Sequence, residues 1–372
     1  MESNNYEYDF LIVGAGLYGA TFAHEALKKG KSVLVIDKRN HIGGNCYTEN
    51  VEGIEVHKYG PHIFHTNDKE VWDWISQFGE FNSFINSPIA KKDGKVYNLP
   101  FNMNTFYQLY KCITPVEAEI AINKAKEKYK DIEIKNLEDQ ALHLIGDEVY
   151  NTLIKDYTEK QWGKNCKELS PEIIKRLPIR FTFDNNYYNC KYQGIPVTGY
   201  TALIRKMLKG ADIMLNTSYE DLLTIFPDHY GKKVIYTGPI DEFFNYQLGA
   251  LEWRGLEFKD TLYSTDNIQG NAVVNHIDRE IPYTRTIEHK HFYNIDTNVS
   301  ILTQETPKSW SVGDIPYYPV ETNKNKDLYN KYLELATKCP YVYFVGRSGE
   351  YKYLDMDQTI FKALELSKQL LK

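Results

Sequence analysis

No run in the chain approaches the roughly eighteen consecutive apolar residues that a membrane-spanning helix needs, and the opening MESNNYEYDF lacks the basic start and apolar centre of a signal peptide. The expectation is a cytoplasmic protein. Basic residues never cluster, and the formal net charge of -6 with a pI near 6.0 argues against nucleic acid or an anionic membrane surface as partner. The 5 cysteines (Cys46, Cys112, Cys166, Cys190 and Cys339) are scattered with no CxxC pair. Neither a disulfide framework nor a metal site is expected. Arginine is scarce as well, at 8 of the 44 basic residues: Arg39, Arg176, Arg180, Arg205, Arg254, Arg279, Arg285 and Arg347. A chain that covers its surface with lysine uses arginine where a planar, permanent, bidentate cation matters, as for phosphate or a buried carboxylate. Each arginine is therefore a site candidate, with a structural ion pair as the alternative.

Against these absences stands a glycine-rich start. Tyr8 to Val13 is a short apolar run that ends at Gly14-Ala15-Gly16-Leu17-Tyr18-Gly19, and helical spacing follows to Lys29. A second apolar run, Ser32 to Ile36, ends on Asp37. The unit reads as strand, tight turn, helix and strand. In such a unit Gly14 permits the turn, Gly16 lets backbone N–H groups approach a pyrophosphate, Gly19 lets helix and strand pack, and Asp37 accepts ribose hydroxyls. The helix N-terminus adds partial positive charge. A second glycine pair in His41-Ile42-Gly43-Gly44-Asn45 suits a flavin dinucleotide, which runs past the second strand, so FAD is the expected cofactor.

Farther on, Gly60-Pro61 forces a turn before His62, which is expected to face the cofactor, while His65 packs or hydrogen-bonds. Asp68 to Phe78 reads as a capped helix and Phe84 to Leu99 as a hairpin around Lys92-Asp93-Gly94-Lys95. Helical patterns fill Asn104 to Gly163, with Pro115 and Asp147 as helix-start residues. Short runs ending at Asn216 and Thr237-Gly238-Pro239 look like further strands of the cofactor sheet. Ala272 to Ile277 and Tyr283 to His291 read as antiparallel strands. Val342 to Gly346 reads as a buried strand, and Met356 to Leu371 as a helix whose free N–H groups point at the cofactor.

The segments GAGLYG, KRNHIGGN, KYGPHIFHT, NLPFNMNTF, YTEKQWG, KRLPIRFTFDNNYY, YTGPID, NAVVNHID, PYTRTIEHK, PYYPV and GRSGEYKYLDMDQTI together resemble the prokaryotic UDP-galactopyranose mutase family along nearly the whole chain. The resemblance implies an α/β fold with a discontinuous Rossmann-like FAD-binding domain (1–75, 200–248 and 335–372), a helical domain (102–165) with a mobile substrate loop near 162–175, and an antiparallel-sheet domain (76–101, 166–199 and 249–334). It implies interconversion of UDP-galactopyranose and UDP-galactofuranose through a covalent adduct between the sugar and reduced flavin N5, with no net redox change. The product would pass to glycosyltransferases that build a cell-surface polysaccharide. UDP-galactose is the implied substrate, with its N-acetyl counterpart as an open alternative, and a homodimer is an open possibility.

Residue by residue, the resemblance assigns Arg176 and Arg285 to the diphosphate, with Tyr187, Tyr318 and Tyr353 hydrogen-bonded to it. Tyr157 matches the aromatic that stacks on uracil, with Asn86, Thr158 and Asn275 on the nucleotide and Trp162 on the loop that closes over the substrate. His62 packs near the flavin, and Asp355 holds the diphosphate tyrosines. The implied FAD contacts are Tyr18, Asp37, Lys38, Asn45, Ile63, Arg347, Leu354, Asp355, Met356, Asp357, Gln358 and Thr359, besides Gly14, Gly16, Gly19 and Gly44. Arg39, Arg205 and Arg279 remain as plain surface candidates. Two rivals share the cofactor unit. A flavin amine oxidase has no use for paired arginines, and a flavin-free module that extracts prenylated GTPases from membranes would show erosion of the glycine turn and Arg347.

Overall fold

The computed structural model describes residues 7–174, 179–225, 231–293 and 295–372. The chain divides into two units. One comprises the described residues of Met1–Ser83, Cys190–Trp253 and Trp310–Lys372, the other those of Phe84–Asn189 and Arg254–Ser309.

In the first unit, β-branched and apolar runs form a 5-stranded sheet in the order Val342–Phe344, Gly231–Tyr236, Tyr8–Val13, Val33–Ile36, Asp212–Met214. Every neighbouring pair is parallel. Near-continuous apolar strands such as Val33–Ile36, buried at all four positions, are typical of parallel sheets. The register sets Val13 beside both Tyr236 and Ile36. Hence the glycine turn after Val13 and Thr237 after Tyr236 emerge side by side at the carboxyl edge of the sheet, where open parallel sheets bind ligands. Helix Leu17–Lys28 follows the turn and packs on the C-terminal helix Met356–Leu370.

The second unit joins helices to a sheet. Helices Met103–Tyr110, Pro115–Lys126 and Leu137–Val149 are capped by Asn102, Thr114 and Asn136, and they bury Phe106, Ile122, Leu137, Ala141 and Ile145 in one core. Asp147 does not open a free-standing helix. Gly146 takes a non-helical, positive-φ geometry (φ 75°, ψ 177°) within Leu137–Val149, and the chain then runs through a π-turn at Tyr150–Ile154 into helix Lys155–Trp162. The sheet runs Trp253–Tyr263, Ser300–Ser309, Arg285–Glu288, Val273–His276, Ile89–Lys92, Lys95–Asn98. Its pairs are antiparallel except that Val273–His276 lies parallel to Ile89–Lys92. Those two strands are far apart in the chain, so no short turn dictates their direction. Among the described residues, no helix is long and apolar enough to cross a membrane.

Candidate functional site

A cleft of about 240 Å³ opens at the carboxyl edge of the parallel sheet. Its floor is the glycine turn. Gly14 sits at φ +110°, a left-handed geometry suited to glycine, and an added Cβ would lie 2.0 Å from Thr237 Oγ1. The second glycine pair closes on the first: Gly43 N donates to Ala15 O at 2.8 Å, and a Cβ on Gly44 would meet Gly16 Cα at 2.9 Å. A side chain at Gly14 would collide with Thr237 and one at Gly44 with Gly16, so only glycine lets these segments close together at the start of helix Leu17–Lys28. That is the cradle a pyrophosphate requires.

The walls carry the polar groups. Asp37 is buried; its carboxylate accepts from Ala15 N and Arg39 N, both at 2.9 Å, and faces the cleft. Lys38 and Glu242 line the same end and pair at 2.9 Å. The His62 ring nitrogen Nδ1 lies 2.8 Å from Gly60 O, an acceptor only, so this nitrogen carries the proton and Nε2 is left as the other polar edge. Cys46 also lines the cleft, but burial pushes its thiol up to about 12, which excludes a thiolate nucleophile at neutral pH. At another part of the wall, Arg347 Nη2 donates to Leu354 O at 3.1 Å and its guanidinium lies 4.6 Å from the Tyr353 ring centre. Tyr353 in turn stacks with Tyr318 at 6.1 Å.

Thirteen of the residues expected to contact the cofactor line this cleft: Gly14, Gly16, Tyr18, Gly19, Asp37, Lys38, Gly44, Asn45, His62, Arg347, Leu354, Met356 and Thr359. Ile63, which is buried, and Asp355, Asp357 and Gln358 are not among the lining residues.

Arg39 corrects the expectation from sequence, because it is not a plain surface residue. It lines the cleft, donates through Nη2 to Asn45 Oδ1 at 2.8 Å and lies 4.6 Å from the Tyr59 ring centre, while its buried Nη1 has no protein hydrogen-bond partner. An orphaned guanidinium nitrogen beside a glycine cradle fits a bound polyanion. The sequence also passed over Thr217, Ser218 and Tyr219, which line the cleft after strand Asp212–Met214. Their position at the carboxyl end of a parallel strand was the available clue.

In the second unit, Asn275 and Arg285 face one another on adjacent strands, and Arg285 faces Glu305 on the next. Directly opposed residues share a face of a sheet. Glu305 is fully buried and grips Arg285 with two bonds, 2.9 Å to Nε and 2.6 Å to Nη2. The fork fixes the guanidinium plane. Tyr187 N donates to Asn86 O at 2.7 Å, and the Asn86 side-chain oxygen is buried without a hydrogen-bond partner. Helix Lys155–Trp162 carries Tyr157, buried Thr158 and Trp162 and ends at Gly163. Arg254 caps this end: Nε donates to Gln161 O at 2.9 Å and Nη2 to Lys160 O at 3.4 Å. Arg279 is an exposed ion-pair residue, bonded to Asp156 and Glu159. Arg176 lies outside the described residues.

Comparison with known proteins adds an independent line. The family model described as UDP-galactopyranose mutase matches residues 152–353, and one described as an NAD(P)-binding Rossmann-like domain matches residues 12–78. A probable UDP-galactopyranose mutase of Klebsiella pneumoniae is 40% identical, covering 98% of this chain and 94% of the relative. A dTDP-fucopyranose mutase of Escherichia coli is 38% identical, covering 97% of this chain and 98% of the relative. Among solved structures, that of a reduced UDP-galactopyranose mutase superposes with a TM-score of 0.73 at 13% identity, covering 98% of this chain and 94% of the other.

Proposed function

The chain belongs to the UDP-galactopyranose mutase family, and on that premise we propose that it interconverts UDP-galactopyranose and UDP-galactofuranose. The protein is an isomerase, and FAD is the cofactor of its family. The glycine cradle, Asp37, Arg39 and Arg347 are the residues that would hold it. Bound there and reduced, FAD would supply the nucleophilic chemistry of an isomerisation that leaves no net redox change.

The chain's own residues handle the leaving diphosphate. Arg285, with its plane fixed by buried Glu305, presents a permanent cation to the charge that develops as the sugar–phosphate bond breaks. Arg176 is the second such cation, and Tyr187, Tyr318 and Tyr353 donate hydroxyl hydrogen bonds. Tyr157 stacks on the base, Asn86, Thr158 and Asn275 orient the nucleoside, and Trp162 closes over the substrate. His62 packs beside the flavin, and Asp355 keeps the tyrosines in place. The furanose product then serves glycosyltransferases that build a surface polysaccharide.

The observation that carries this reading is the glycine-cradled cleft in a chain 40% identical along its length to a probable UDP-galactopyranose mutase. A second reading, dTDP-fucopyranose as substrate, is favoured by the nearly equal likeness to the Escherichia coli enzyme. The test is kcat/KM of the dithionite-reduced protein on UDP-galactopyranose, its N-acetyl counterpart and dTDP-fucopyranose. UDP-galactopyranose is expected to be preferred. Preference for dTDP-fucopyranose would select the second reading, and no furanose from any of the three would reject both.

A further inference from the structure

Between Thr158 and Trp162, helix Lys155–Trp162 carries three side chains to which the proposed function gives no role, namely Glu159, Lys160 and Gln161. All three dock the helix on residues 278–284 or their immediate neighbours. Glu159 pairs with Arg279, and the Thr284 hydroxyl donates to Gln161 Oε1 at 3.2 Å. Between them the Lys160 ammonium donates to four carbonyls, those of His276 at 2.8 Å, Asp278 at 2.9 Å, Ile281 at 3.0 Å and Tyr283 at 3.2 Å. An ammonium has three hydrogens, so four acceptors share them, and the cage suits a compact tetrahedral cation better than a planar guanidinium.

The cation is kept at a cost. Burial draws Lys160 down to about 8, with Lys92 acting the same way and Asp278, Asp156 and Glu280 opposing. A packing role alone would be served by an apolar side chain of similar volume without that desolvation. What the charge adds is a fixed connection between two segments. Tyr157 lies one helical turn before Lys160, and Arg285 begins its strand two residues after the last acceptor, Tyr283.

We propose that Lys160 is a positioning residue that sets the span between Tyr157 and Arg285, and thereby selects an intact nucleoside diphosphate over the nucleoside alone. This inference rests on the roles given to Tyr157 and Arg285 in the proposed function. The test compares UDP with uridine by calorimetric titration of the full-length, FAD-loaded protein. In the wild type UDP is expected to bind more tightly than uridine. Lys160→Met is expected to weaken UDP about tenfold or more, with uridine within about twofold and FAD content unchanged. Should that variant fail to give folded yellow protein, Lys160→Arg keeps the charge but not the four-carbonyl geometry, and it is expected to narrow the same ratio several-fold. An unchanged UDP-to-uridine ratio in either folded variant, or equal weakening of both ligands, would overturn the positioning role. A wild type that binds no UDP would overturn the nucleotide assignment itself.

Discussion

Arg39 and Glu305 are the two residues whose surroundings most change what their neighbours can do. The buried, unpartnered Nη1 of Arg39 points to a cofactor contact. Arg39→Leu is expected to give folded protein with FAD affinity reduced about tenfold or more, measured by flavin content after gel filtration and by titration of the apoprotein; wild-type retention would remove Arg39 from the site. Glu305 holds Arg285 from a fully buried position. Glu305→Gln replaces one acceptor with a donor facing the guanidinium, and turnover is expected to fall about 10- to 100-fold with FAD still bound, approaching the loss in Arg285→Ala. Unchanged kcat and KM in Glu305→Gln would show that Arg285 needs no such support. Arg285 was legible as scarce arginine within a family-like segment. Glu305 was not, because a lone glutamate in a polar strand carries no mark of burial until the register sets it opposite Arg285.

Helix Lys155–Trp162 illustrates what an element's surroundings add to its sequence. Its existence was readable, but Glu159, Lys160 and Gln161 resemble an ordinary solvent-facing surface, and their partners lie more than a hundred residues away. The helix end is equally constrained by a distant residue: Gly163 sits at φ +65°, and an added Cβ would lie 2.8 Å from Arg254 Nη1. Gly163→Ala is therefore expected to displace the Arg254 cap and raise the substrate KM several-fold with little change in FAD content, and an unchanged KM would argue that the position of Trp162 does not depend on this cap.

The strand Val273–His276 brings an acid sensitivity of its own. His276 is buried with Nε2 2.9 Å from Thr286 Oγ1, and burial, aided by Lys91 and Lys160, lowers its pKa to about 4, with Asp278 opposing. Between pH 6.5 and 4 the unfolded chain takes up a proton that the folded one refuses. The stability contributed by neutral His276 is therefore full above about pH 6.5 and is lost as pH falls toward 4, by at most about 3 kcal/mol. Denaturant midpoints across that range should fall less steeply in His276→Gln than in wild type. Parallel slopes would contradict the burial argument.

At the scale of the whole molecule, the cofactor unit was the more legible of the two. Its strand–turn–helix–strand start is local, and the glycine spacing, Asp37 and the ends at Thr237 and Gly346 all lie where the parallel sheet sets them. The second unit depends on non-local pairing. Nothing in the sequence of Ile89–Lys92 announces a parallel partner some 185 residues later, and the row Asn275, Arg285, Glu305 exists only once three separate strands are in register. The central claim is a flavin used in an isomerisation. Its most direct test is anaerobic incubation of the FAD-loaded protein with UDP-galactopyranose, once oxidised and once reduced by dithionite, with products separated by chromatography. The account predicts UDP-galactofuranose from the reduced protein alone, with the flavin still reduced afterward. Equal furanose formation by the oxidised protein, or reoxidation of the flavin in step with sugar consumption, would contradict it.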